Sequence, residues 1–186
     1  MQTVRQPILV GVGQLTNRLR DPREVVEPLD LMAQAAHRAA EDAEAPHALA
    51  ALDSITVINI ICWPYPDPAG QLAARLGARP PERIYTTIGG NSPQWRVNET
   101  ADRIARGEVR LALIAGAEAM QGLRLAHKAG QKLGWSEATA PPEMAGELRW
   151  GTNAVEQRHR AQMPAYIYPL FENALKVVIF FISAWV

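Results

Sequence analysis

Ile84-Tyr-Thr-Thr-Ile-Gly-Gly-Asn-Ser-Pro-Gln94, read on to Leu111-Ala-Leu-Ile-Ala-Gly-Ala-Glu-Ala-Met120, decides the fold of this chain. The first four residues, 84–87, are rich in β-branched and aromatic side chains and read as a strand. Gly89 and Gly90 then allow a tight turn. Ser92 before Pro93 reads as a helix N-cap with proline at the first helical position, where its missing N–H costs nothing. Val97, Ala101 and Ile104 fall on one helical face, Gly107 stops the helix, and 111–115 is a short apolar run of the kind buried in a sheet.

Working outward, the same alternation recurs. Residues 8–12, Ile-Leu-Val-Gly-Val, read as a short buried strand closed by Gly11 and Gly13. After a charged, proline-marked loop over 18–28, Leu29, Met32, Ala33, Ala36 and Ala40 recur at helical spacing, so a helix is expected from Pro28, fading by Pro46. Residues 55–61, Ile-Thr-Val-Ile-Asn-Ile-Ile, read as a central strand buried on both faces, approached by a turn at Asp53-Ser54. Trp63-Pro-Tyr-Pro-Asp-Pro68 cannot be helix or central strand because each proline lacks a donor N–H. A short helix over 69–76, ended by Gly77, follows. Strands alternating with helices predict an α/β domain with a mainly parallel sheet and helices on its faces.

The order of these signals resembles the thiolase superfamily, above all its sterol-carrier-type and bacterial thiolase-like members. The likeness runs over about residues 5–120 and corresponds to the N-terminal half of that fold. In the family an active-site helix opens with C-x-S-G, carries an isoleucine further on and a glycine after it, and leads through a strand into A-G-G-x-E-S-M. Here Ile104, Gly107 and Ala115-Gly-Ala-Glu-Ala-Met120 fill the later positions. Ile8-Leu-Val-Gly-Val-Gly-Gln14, Glu27-Pro-Leu-Asp-Leu-Met32, Ala40-Glu-Asp-Ala43 and Leu52-Asp-Ser-Ile55 fit the opening pattern. The segments 150–159 and 163–173 resemble the loop region that helps shape the coenzyme A site in that family.

Counting back from Ile104 without a gap puts Gly90 at the cysteine, Ser92 at the serine and Pro93 at the glycine. A thiolate at a helix N-terminus is a strong nucleophile because the partial positive charge there lowers its pKa. Glycine has no side chain to ionise or acylate, and the only cysteine, Cys62, lies in a different predicted strand. No catalytic residue is therefore assigned, with Asn91 and Ser92 the neighbours of the vacant position. The resemblance also implies a second half bearing a G-H-P histidine, an asparagine in an N-E-A-F-like motif and a second cysteine, and this sequence holds none of them. Those groups would hold the thioester oxygen where charge develops, usually the larger part of acyl-transfer catalysis.

Composition sets outer bounds. The 186 residues carry 19 basic and 19 acidic side chains, so no net field steers the chain toward nucleic acid. With 48% apolar and 20% charged residues it is a globular sequence. One cysteine and no apolar leader at the N-terminus point to a reducing cytoplasm.

Other candidates are weighed against plainer roles. Gly11-Val-Gly13 lacks the third glycine of a dinucleotide fingerprint, Thr16 standing there, so a turn is expected rather than a NAD site. His37, His47, His127 and His159 have no metal-ligand spacing and read as solvated. Ser92 as a nucleophile has no assignable base, and a capping role is expected. Arg124, His127, Lys128 and Lys132 form a small basic cluster, either a solvated face or a contact for coenzyme A phosphates.

The expected division is a thiolase-like α/β domain over 1–120, a loop region with the start of a helix over 121–176, and an atypical apolar tail over 177–186. That tail, Val-Val-Ile-Phe-Phe-Ile and beyond, breaks the alanine- and arginine-rich style before it, as a frameshift or a truncated gene end does. Its ten residues fall short of the ~20 that cross a bilayer, so a membrane anchor is not expected, and aggregation or pairing with another subunit is. The resemblance implies an acyltransferase of lipid metabolism, of the acetyl-CoA acetyltransferase kind. In this form it is expected to lack thiolysis, to bind coenzyme A or acyl-CoA without metal or covalent cofactor, and to pair as a homodimer or with a second thiolase-like chain. The alternatives are a subunit of a two-chain acyltransferase and a nonfunctional product.

Overall fold

The computed structural model describes residues 5–18, 21–148, 151–161 and 164–183, with the side chains of 164 and 177–183 outside the description. Trp150, Met163 and the last three residues of the expected tail fall outside it too. The chain forms two compact units, Met1–Glu147 and Leu148–Val186.

The first unit is built on three parallel strands, β1 (Ser54–Val57), β2 (Glu82–Tyr85) and β3 (Ala112–Ala115), in the order β2-β1-β3. Ser54 stands opposite both Glu82 and Ala112, and the register continues residue by residue to Val57. Four helices accompany them: α1 (Pro28–Asp42), α2 (Pro68–Arg75), α3 (Ser92–Ala105) and α4 (Met120–Lys128). The β1-α2-β2 and β2-α3-β3 connections travel in opposite directions across the sheet. Right-handed crossovers therefore put α2 and α3 on opposite faces, and the α/β architecture expected from the sequence is present.

The α1/α2 face holds the apolar core. Leu29, Met32 and Leu72 meet Ile55, Val57 and Tyr65, each at most 1% exposed. The opposite face is polar where α3 covers it. Ser54 and Thr56 are buried there, Arg96 of α3 donates to Thr56 Oγ1 at 3.4 Å, and Arg103 pairs with Glu82 at 2.7 Å. Strand β1 is thus buried on both faces, but it ends at Val57, four residues before the expected limit. Asn59 turns away to bond Thr86, through its own N–H to Oγ1 at 3.0 Å and its side-chain amide to the carbonyl at 3.2 Å.

Residues 8–12 are not a strand. They have no regular secondary structure and lie against α1, with Ile8 71% and Leu9 84% exposed. Gly11 and Gly13 lie so close to α1 that a Cβ would stand 2.1 Å from the Ala39 carbonyl oxygen and 1.9 Å from that of Ala35. Val12 N–H donates to Asp42 at 2.8 Å, and Arg38 donates to the Gln14 carbonyl at 2.8 Å. Helix packing has captured a segment whose β-propensity favoured the sheet.

The second unit contains α5 (Ala154–Arg158), opened by a capping box of Asn153 and Glu156, and α6 (Pro164–Ser183).

Candidate functional site

The position aligned with a nucleophile lies in the turn between β2 and α3. Gly90 is exposed there, and a Cβ built on it would meet nothing within 4 Å. Asn91 is the capping residue but makes no side-chain capping bond. Ser92 is the first helical residue rather than the expected N-cap. It is 4% exposed, its N–H donates to the Gly89 carbonyl at 3.1 Å, and its hydroxyl donates to the Thr87 carbonyl at 3.2 Å. The hydroxyl is thus turned back into the turn that it stabilises.

The strand-end region around this turn is closed by a returning segment. Thr87 N–H donates to the Ala145 carbonyl at 2.9 Å and Ala145 N–H donates to the Tyr85 carbonyl at 2.7 Å, a parallel bridge on the outer edge of β2. Gly146 follows at φ +101°, under the Trp95 ring, where a Cβ would approach to 3.1 Å.

The one cysteine serves a different junction. Cys62 is buried beyond the end of β1, and burial, with Glu118 nearby, pushes its thiol up to about 12. Its sulfur accepts from the Ala119 N–H at 3.4 Å. In return the Glu118 carboxylate accepts from the N–H groups of Ile61 and Cys62, the latter at 3.2 Å. This knot ties the exits of β1 and β3 together and holds Cys62 as a protonated thiol, not a nucleophile. Glu118, the glutamate of the motif, is thus structural.

Arg124, His127 and Lys128 are exposed on α4, and Lys132 is exposed beyond Gly130, whose φ of +64° ends the helix. Among the described residues none of the four is in a salt bridge. Lys128, in the last turn, also complements the negative end of the helix dipole. A cleft of about 400 Å³ lies at the other end of α4, lined by Gly13, Gln14 and Asn17 on one side and by Gly116, Glu118 and Gly122 on the other. The basic cluster does not line it. All four histidines are exposed, and no group of three metal-ligating side chains occurs among the described residues.

Sequence reasoning missed a polar clamp remote from the turn. Glu27, 6% exposed, pairs with Arg75 at 2.8 Å and accepts from the Ser136 N–H at 3.0 Å. Trp63 donates to the Ser136 carbonyl at 2.9 Å and meets Trp135 edge to face at 5.1 Å. No periodicity marks such a contact, since its partners lie up to 109 residues apart.

These geometries define an α/β domain on a parallel three-stranded sheet, with Gly90 exposed in the turn between β2 and α3. No protein-family model matches the sequence, and no curated protein matches it significantly. Among solved structures it is similar to a monomeric SCP2-thiolase-like protein type 1 from Mycobacterium smegmatis, at 30% identity and a TM-score of 0.55. The match covers 64% of this chain and 24% of that chain, so the present sequence spans about a quarter of its relative's length. The likeness to the thiolase superfamily read from the sequence is borne out in both fold and identity.

Proposed function

We propose that this chain is a thiolase-like domain that performs no thiolysis by itself and binds coenzyme A or an acyl-CoA noncovalently in the cytoplasm. The observation that carries the first part is Gly90, at the head of α3 where the family places its cysteine, with open space around its Cα and no side chain. Cys62 offers no substitute, because its thiol is buried and protonated at neutral pH.

The binding half rests on the exposed cations Arg124, Lys128 and Lys132, which have no ion-pair partner among the described residues and match the charge of coenzyme A phosphates. Calorimetry with coenzyme A and with acetyl-CoA tests it. A saturable heat is expected, abolished in Arg124→Glu/Lys128→Glu/Lys132→Glu while the urea midpoint holds. No heat at millimolar ligand, or equal binding by the triple variant, refutes the assignment. An acetoacetyl-CoA cleavage assay tests the catalytic half, with no turnover above buffer expected.

A further inference from the structure

Helix α6 has 20 residues, a length of about 30 Å, and its surface is unlike that of a helix packed on a core. Tyr166, Tyr168, Leu170, Phe171 and Leu175 are each between 60% and 65% exposed. At about 100° of turn per residue they spread, with Ile167, over an arc of about 200°. Glu172, Asn173 and Lys176 occupy the remaining side. The sequence then continues Val177-Val-Ile-Phe-Phe-Ile182 without a charge.

A groove on a protein, or one facing helix, covers a stripe of about 100°. An arc twice as wide would stay half exposed against such a partner. A bilayer interface covers a wide apolar arc and leaves a polar stripe in water. The segment leading into α6 supplies matching charge. Arg158 and Arg160 are exposed, and among the described residues neither pairs with a carboxylate. Tyr166 and Tyr168 follow at the start of the helix, as rings suited to headgroup depth. Glu172, Asn173 and Lys176, grouped on one side of the helix, suit a helix that lies in the plane of the interface with that side in water.

We infer that α6 is an interfacial helix that seats this chain on an anionic lipid surface, with Arg158 and Arg160 against the headgroups and the Tyr166–Leu175 arc in the acyl boundary. The inference is independent of coenzyme A binding.

Flotation of the full chain with vesicles tests it, because floating protein is separated from aggregate that sinks. With vesicles of equal parts phosphatidylcholine and phosphatidylglycerol the chain floats, and with phosphatidylcholine alone it floats less. Leu170→Asp/Leu175→Asp lowers the bound fraction by roughly ten-fold or more, since two apolar anchors are lost. Arg158→Glu/Arg160→Glu lowers it several-fold on the anionic vesicles only. All four positions are exposed in the second unit, so the helical circular-dichroism signal of the full chain serves as the folding control. Wild-type protein that stays at the bottom with both vesicle types overturns the inference, and a dimer by light scattering in that case assigns the helix to a second copy. Equal flotation of the leucine variant overturns it as well.

Discussion

Glu118 accepts a hydrogen bond from the backbone N–H of Cys62 at 3.2 Å across 56 residues of sequence. Cys62 returns the contact through its sulfur, which accepts from Ala119 N–H. Past Val57 and Ala115, where β1 and β3 stop, this pair adds to the Ile58 N–H bond to the Ala115 carbonyl at 2.8 Å in keeping the two exits adjacent. Replacing Glu118 by alanine leaves the Ile61 and Cys62 donors without their acceptor and is expected to cost about 1–3 kcal/mol. Urea unfolding followed by circular dichroism checks it. A midpoint equal to wild type would show that water replaces the carboxylate without loss.

Alkaline stability follows from the same knot. Burial raises the Cys62 thiol from 9.0 to about 12 and raises the Tyr65 and Tyr85 hydroxyls in the same direction. Each folded-state value lies above the unfolded one, so the folded chain holds protons that the unfolded chain gives up. The stabilisation from Cys62 is complete below about pH 9 and declines as pH rises toward 12. One such group steepens the loss by up to about 1.4 kcal/mol per pH unit. Cys62→Val should flatten the profile just above pH 9, before the tyrosines take over, and urea midpoints measured from pH 7 to 10.5 would show it.

Gly90 permits a direct experiment on what the turn lacks. A Cβ there meets nothing within 4 Å, so Gly90→Cys should fold with a stability change of less than about 0.5 kcal/mol. Its exposed thiol should react with Ellman's reagent at once, while Cys62 should react only on unfolding. Acetoacetyl-CoA cleavage should nevertheless stay at background, because the G-H-P histidine and N-E-A-F-like asparagine that the thiolase resemblance implies for the thioester oxyanion do not occur in this sequence. Turnover by this variant would mean that another residue of the chain takes their place.

Much of the fold was legible because burial leaves a period in the sequence. Leu29, Met32, Ala36 and Ala40 were read as one helical face, and all four are buried on α1. Gly77 and Gly107 were read as helix stops, and both have φ near +70°, at +63° and +78°. Strand limits were less legible. The β-branched run over 55–61 outlasts the ladder, because Asn59 and the Ile61 N–H leave it for side-chain partners that composition does not reveal. Ser92 was read one step out of register, since a serine preceding proline serves equally as a cap or as the first helical residue. The Glu27–Arg75–Ser136 clamp left no local trace, being a set of long-range polar contacts.

The segment 8–12 shows where local preference lost to packing, and it yields the sharpest steric prediction. A methyl group at Gly13 would lie 1.9 Å from the Ala35 carbonyl oxygen and 2.7 Å from the Ala39 nitrogen, and backbone atoms of a helix have little room to retreat. Gly13→Ala must therefore displace the segment from α1, breaking the Val12–Asp42 and Arg38–Gln14 bonds with it. The expected cost is about 1–3 kcal/mol. Trypsin should report the change, because Arg18 lies on the released stretch, and cleavage there should accelerate before any global unfolding. Gly134→Ala, where the built Cβ also meets nothing within 4 Å, is the control that should leave both stability and cleavage unchanged. Unaltered proteolysis of Gly13→Ala would mean that the stretch is held by something other than its contact with α1.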